Sequence, residues 1–104
     1  MTYFAVTREA GPRWTEGHGA FDQPRAGAHA AFMNRLAEEG VVLLAGPLDG
    51  SELDRIRVLL IARARSGQEV RDRLAADPWV MSERRLTTSV EPWRPIVGGD
   101  KLAL

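Results

Sequence analysis

At 104 residues the chain suits one domain with a modest core and leaves little room for a second. Fourteen basic side chains balance fourteen acidic ones and are scattered, which argues against nucleic acid, a partner normally met by a basic face. The chain has no cysteine, which excludes disulfides, thiolate metal sites and cysteine nucleophiles.

The first strand is predicted over 2–8, "TYFAVTR", where Phe4 and Val6 alternate with Tyr3, Ala5 and Thr7. Residues 9–24, rich in glycine and proline, read as a loop, and loops of this length are commonly functional. Trp14 and Phe21 within it are expected to pack, which favours an ordered flap. A helix follows from Arg25 to about Glu39, with His29, Phe32, Met33 and Leu36 at i, i+3, i+4 and i+7 on one face. Gly40 occupies the position where a left-handed C-terminal residue is expected.

"VVLLAGPL" (41–48) reads as a second strand ending at Gly46-Pro47, with Asp49-Gly50 as a turn signal. A third strand is predicted over 54–64 and a second helix from Gly67 to Ala76, its inner face marked by Val70 and Leu74. Asp77 and Pro78 end that helix and open a short turn over Pro78–Ser82. The last strand, 85–93, sets Leu86, Thr88 and Val90 against Thr87 and Ser89, and the tail from Pro95 gives no clear signal.

The order βαββαβ predicts an α+β, ferredoxin-like fold: a four-stranded antiparallel sheet with both helices on one face. "VVLLA" (41–45) and "VLLIA" (58–62) are apolar at every position, a pattern that calls for cover on both faces. Two helices cover only one, so a homodimer packed through the other sheet face is expected. No apolar run approaches the roughly 20 residues of a membrane span, and no basic-then-apolar leader opens the chain. The expectation is a soluble, cytoplasmic protein without a membrane partner.

His29 admits two readings: a core histidine bonded to a carbonyl, or a general acid–base at a pocket mouth. The second needs a partner, typically a carboxylate on the other ring nitrogen. Asp77 is equally double. It suits an N-cap with proline at N1, and the same carboxylate could also hold an imidazole. His18, in "GHG", reads as solvated loop. Two histidines without HxH or HExxH spacing make a dedicated metal site unexpected, and no phosphate-binding glycine motif or nucleophile elbow is visible.

The segments "HAAFMNRLAEEGVVLLAGPL" (29–48), "RVLLIA" (57–62), "LAADPWV" (74–80) and "SVEPW" (89–93), in that order, resemble the YCII-related (YciI-like) proteins. The resemblance covers nearly the whole chain, taking 1–97 as one domain with 9–24 as a long loop insertion and 98–104 as a tail. It implies a dimeric α/β barrel and a His–Asp active site matched by His29 and Asp77, with Gly46-Pro47 shaping the pocket. No cofactor is characteristic of the family. The 9–24 insertion departs from its shorter members, so their pocket shape need not carry over.

Three functions are open, the last of them a structural interaction module with no pocket. One is a cofactor-independent lyase or isomerase acting on a small cyclic or aromatic metabolite. There His29 moves a proton, Asp77 orients it, and Phe32, Met33, Trp79 and Gly46-Pro47 supply walls. The alternative is a non-catalytic dimer that binds a small molecule in the same pocket.

Overall fold

The computed structural model describes residues 1–48 and 56–102. The Asp49-Gly50 turn, and the first residues of the strand expected from 54, lie outside them. Strand β1 runs Thr2–Ala10, helix α1 Ala26–Glu38, β2 Val42–Pro47, β3 Arg57–Ala64, α2 Gly67–Leu74, α3 Pro78–Met81 and β4 Arg85–Trp93. Short 3-10 turns at Ala20–Asp22 and Gly99–Leu102 complete the described elements. The strands form one sheet in the order β2-β3-β1-β4, with every neighbouring pair antiparallel. This is the ferredoxin-like α+β arrangement.

The alternation in β1 is what builds the core. Phe4, Val6, Arg8 and Ala10 are all buried, and the residues between them are only partly so. Phe4 and Val6 join Leu36 of α1, Val42, Leu60, Ala62, Ala64, and Val70 and Leu74 of α2 in the main apolar cluster. A second cluster of Ala10, Trp14, Ile56 and Trp79 closes the end of the molecule where α3 sits. Helix α1 stops where Gly40 takes a φ of 78°, the left-handed conformation that its sequence position implies. Helix α2 starts at Ser66, whose hydroxyl accepts from the Glu69 N–H at 3.1 Å.

Three expectations are corrected. The first strand extends to Ala10, so the loop begins at Gly11. Trp14 is buried as expected, but Phe21 is 96% exposed. In β4, Leu86 and Val90 do not share a face. A bulge in the pairing with β1 between Thr7 and Arg8 inserts one residue, and period-two alternation cannot survive that. Arg85 and Thr87 therefore lie in register with Ala10 and Arg8, while Leu86 pairs Glu9 and is 43% exposed.

The face of the sheet away from the helices carries Leu59 at 41% and Trp93 at 40% exposure. Leu44 on the edge strand β2 is 59% exposed. Among the described residues no helix is long and apolar enough to cross a membrane.

Candidate active site

The residue before a proline is driven into extended backbone, and Asp77 obeys, with φ −60° and ψ 127°. Its chain turns there from the end of α2 into α3, and Oδ1 accepts from the Trp79 N–H at 2.9 Å. The N-cap expected from the sequence is therefore present. The side chain does more than cap. His29 Nδ1, one turn into α1, lies 2.9 Å from each carboxylate oxygen. Arg8, inward on β1, donates from Nη2 to Oδ2 at 2.9 Å. Three elements far apart in sequence thus meet on one carboxylate.

Burial differs sharply among the three. Asp77 is wholly buried and Arg8 is 2% exposed, whereas the His29 side chain keeps 16% of its surface in solvent. Burial alone would raise the Asp77 carboxyl. The hydrogen bonds from His29, from the Trp79 N–H and from Arg8, with the Arg8 charge, outweigh it and hold the carboxyl below its ordinary range. Burial pulls Arg8 down, and its bond to Asp77 opposes that. An ionised carboxylate only accepts hydrogen bonds, so Nδ1 of His29 carries the proton in this contact. In the neutral ring Nε2 is then the nitrogen with the free lone pair.

The imidazole is also clamped from the side. It lies flat on the Trp79 indole, with ring centroids 3.8 Å apart and 10° between planes. Trp79 is fixed in turn, since Nε1 donates to the Pro24 carbonyl at 2.8 Å and Trp14 meets it edge-on at 5.4 Å. Pro24 precedes Arg25, which takes a left-handed φ of 63° immediately before α1. The long loop therefore serves the site through Trp14 and Pro24, behind the histidine.

Of the other residues expected at the site, Met33 places its sulfur 3.6 Å from Arg8 Nη1. Phe32 packs against the main core cluster. Gly46 and Pro47 sit at the same end of the sheet, because Pro47 pairs with Val58, which pairs with Arg8. Two strands separate them from the carboxylate. Trp79 is 2% exposed, so it backs the imidazole and does not line an open pocket. Two arginines went unanticipated. Arg8 holds Asp77, and Arg85 is 3% exposed with its guanidinium carbon 5.1 Å from the Trp79 ring centre and 5.6 Å from that of Trp14. Inward arginines on strands contradict the apolar-in rule, and nothing in the local sequence marks them. Among the described residues no group of three or more histidines or acidic side chains could hold a metal ion.

The sequence profile of the YCII-related domain matches residues 8–94. Among solved structures, the chain is similar to the 5-chloro-2-hydroxyhydroquinone dehydrochlorinase of Burkholderia phenoliruptrix AC1100 in complex with 2,5-dihydroxybenzoquinone. The identity is 21%, the TM-score is 0.52, and the match covers 88% of this chain and 91% of the other. No curated protein matches.

Proposed function

The chain belongs to the YCII-related family, and we propose that it is a cofactor-independent lyase or isomerase that moves a proton on a small cyclic or aromatic metabolite. The observation that carries this reading is the 2.9 Å contact between His29 Nδ1 and the Asp77 carboxylate. With Nδ1 donating, Nε2 takes the substrate proton, and Asp77 stabilises the imidazolium that results. Asp77 acts through His29 and is a positioning residue. Arg8 and the Trp79 N–H fix the carboxylate, and the indole fixes the plane of the ring. General acid–base catalysis of this kind contributes about 10²- to 10⁴-fold, which suits substrates with already acidified protons.

The fold neighbour acts on a chlorinated hydroquinone, and loss of HCl from such a ring needs a proton acceptor placed beside an aromatic body. That likeness supports the substrate class. The partner in this reading is a second copy of the chain, docked on the sheet face that exposes Leu59 and Trp93. A copy there would cover that exposed apolar area, on the side of the sheet opposite the inward Arg8 that holds Asp77.

The test uses 5-chloro-2-hydroxyhydroquinone and a panel of small cyclic ketones in heavy water, following chloride release and deuterium uptake. The wild type should exchange or eliminate, and His29→Ala should not, while light scattering should report a dimer for both. Equal rates for the wild type and His29→Ala would remove His29 from the chemistry. Binding of 2,5-dihydroxybenzoquinone without turnover of any probe would favour the non-catalytic reading.

A further inference from the structure

Three donors hold Asp77: the single Nδ1–H of His29, shared between both oxygens, the Trp79 N–H on Oδ1 and Arg8 on Oδ2. Arg85 is buried beside the same cluster, and its Nε and Nη1 are shut off from solvent with no hydrogen-bond partner among the described residues. Burial, then the Arg8 charge, pull its guanidinium down to about 10, with Asp77 opposing. It is therefore charged at neutral pH. A buried cation that lies over two indole rings beside Arg8 and Asp77, with neither Nε nor Nη1 hydrogen-bonded among the described residues, is incompletely compensated.

Arg85 also borders a cavity of about 270 Å³ on the helix side of β4. Neither His29 nor Asp77 lines it. Its polar wall is Arg85, Arg71 and Thr87, with Glu83 as the acidic side chain of the lining, and Pro12, Ala75 and Val80 contribute apolar surface. Arg85 and Thr87 are in register with the inward Ala10 and Arg8, which places the cavity away from the sheet face proposed for dimerisation.

We propose that this cavity is a binding site for a small organic carboxylate, distinct from the His29–Asp77 site. The carboxylate would meet Arg71 and the Nη2 edge of Arg85, the part of that guanidinium not shut off from solvent, while Thr87 supplies a hydroxyl donor. The body of the molecule would rest on Pro12, Ala75 and Val80. Glu83 works against the ligand, and that sets a second sign for the test.

The experiment is titration calorimetry of the full chain with benzoate, inorganic phosphate and neutral benzyl alcohol as probes. Saturable benzoate binding with a Kd of about 1 mM or tighter is expected, weakening with added salt. Arg71 is exposed on α2, so Arg71→Ala keeps the fold and should weaken benzoate at least about tenfold, the scale of a charge-assisted hydrogen bond. Glu83→Gln should tighten it, and His29→Ala should leave it unchanged. The inference is overturned if benzoate binds no better than benzyl alcohol. It is equally overturned if Arg71→Ala and Glu83→Gln have no effect, or if binding is lost in His29→Ala. Phosphate binding without benzoate binding would replace the organic carboxylate by an inorganic oxyanion and also overturn it.

Discussion

Replacing Asp77 by Asn isolates the charge that joins the three arms of the site. Asparagine keeps an oxygen able to accept from the Trp79 N–H, so the cap of α3 survives and the difference reads the carboxylate alone. What is lost is the counter-ion of Arg8, a guanidinium only 2% exposed. Removing one partner of a buried ion pair strands the other, a loss of about 3–5 kcal/mol. For a domain of about 100 residues that lowers the melting temperature by on the order of 15 °C. Urea unfolding followed by tryptophan fluorescence measures it, since Trp79 and Trp14 lie against the site. Asp77→Ala should lose about 1 kcal/mol more, because it also removes the cap. The double variant Arg8→Met/Asp77→Asn should recover part of the loss, since no unpaired charge then remains in the core. The amide brings a second effect. Its NH₂ can donate to Nδ1, which drives the His29 proton to Nε2 and abolishes the base. Turnover should then fall by as much as about 10⁴, as for a wrong-tautomer triad. An Asp77→Asn variant within 1 kcal/mol of the wild type would refute the idea that this carboxylate compensates a buried cation.

Because the Asp77 carboxyl lies below its ordinary range in the fold, its contribution to stability is complete above a pH of about 4. It is lost as the pH falls through the lower folded-state value, so urea midpoints of the wild type should drop more steeply below pH ~4 than those of Asp77→Asn. Ser66→Ala removes the acceptor of the Glu69 N–H and should destabilise by about 1 kcal/mol in the same assay. A methyl group at Gly11 would press on the backbone carbonyl of Glu83, and the Gly11 N–H bond to Arg84 at 2.9 Å prevents the chain from easing away. Gly11→Ala should therefore destabilise by about 1–3 kcal/mol, whereas Gly19→Ala, which meets open space, should not. Leu59→Lys lies on the open sheet face and should leave the melting of the monomer intact while abolishing any dimer seen by light scattering.

The fold was legible because its elements follow local rules. Phe4 and Val6 alternate, the face of α1 repeats at helical spacing, and Gly40, Ser66 and Asp77-Pro78 punctuate. The bulge opposite Thr7 and Arg8 was not, since an extra residue in one strand is defined only by its partner's register. The same distinction divides the site. His29 and Asp77 each invited two readings, and the structure shows that for Asp77 the two coexist, because capping and imidazole contact use different acceptor positions of one carboxylate. Arg8 left no trace, for a charge on the inward side of a strand is tolerated only where a distant group compensates it. That group is Asp77, 69 residues away. Asp77 in turn is held as a buried anion by its hydrogen bonds from His29 and the Trp79 N–H together with the bond and charge of Arg8. A lone ionised carboxylate so deep would instead take up a proton, and a protonated Asp77 could no longer hold His29 in the donating tautomer. In the proposed mechanism Arg8 would therefore bear on the chemistry without approaching a substrate, by helping to keep charged the carboxylate that leaves Nε2 of His29 free to act as a base.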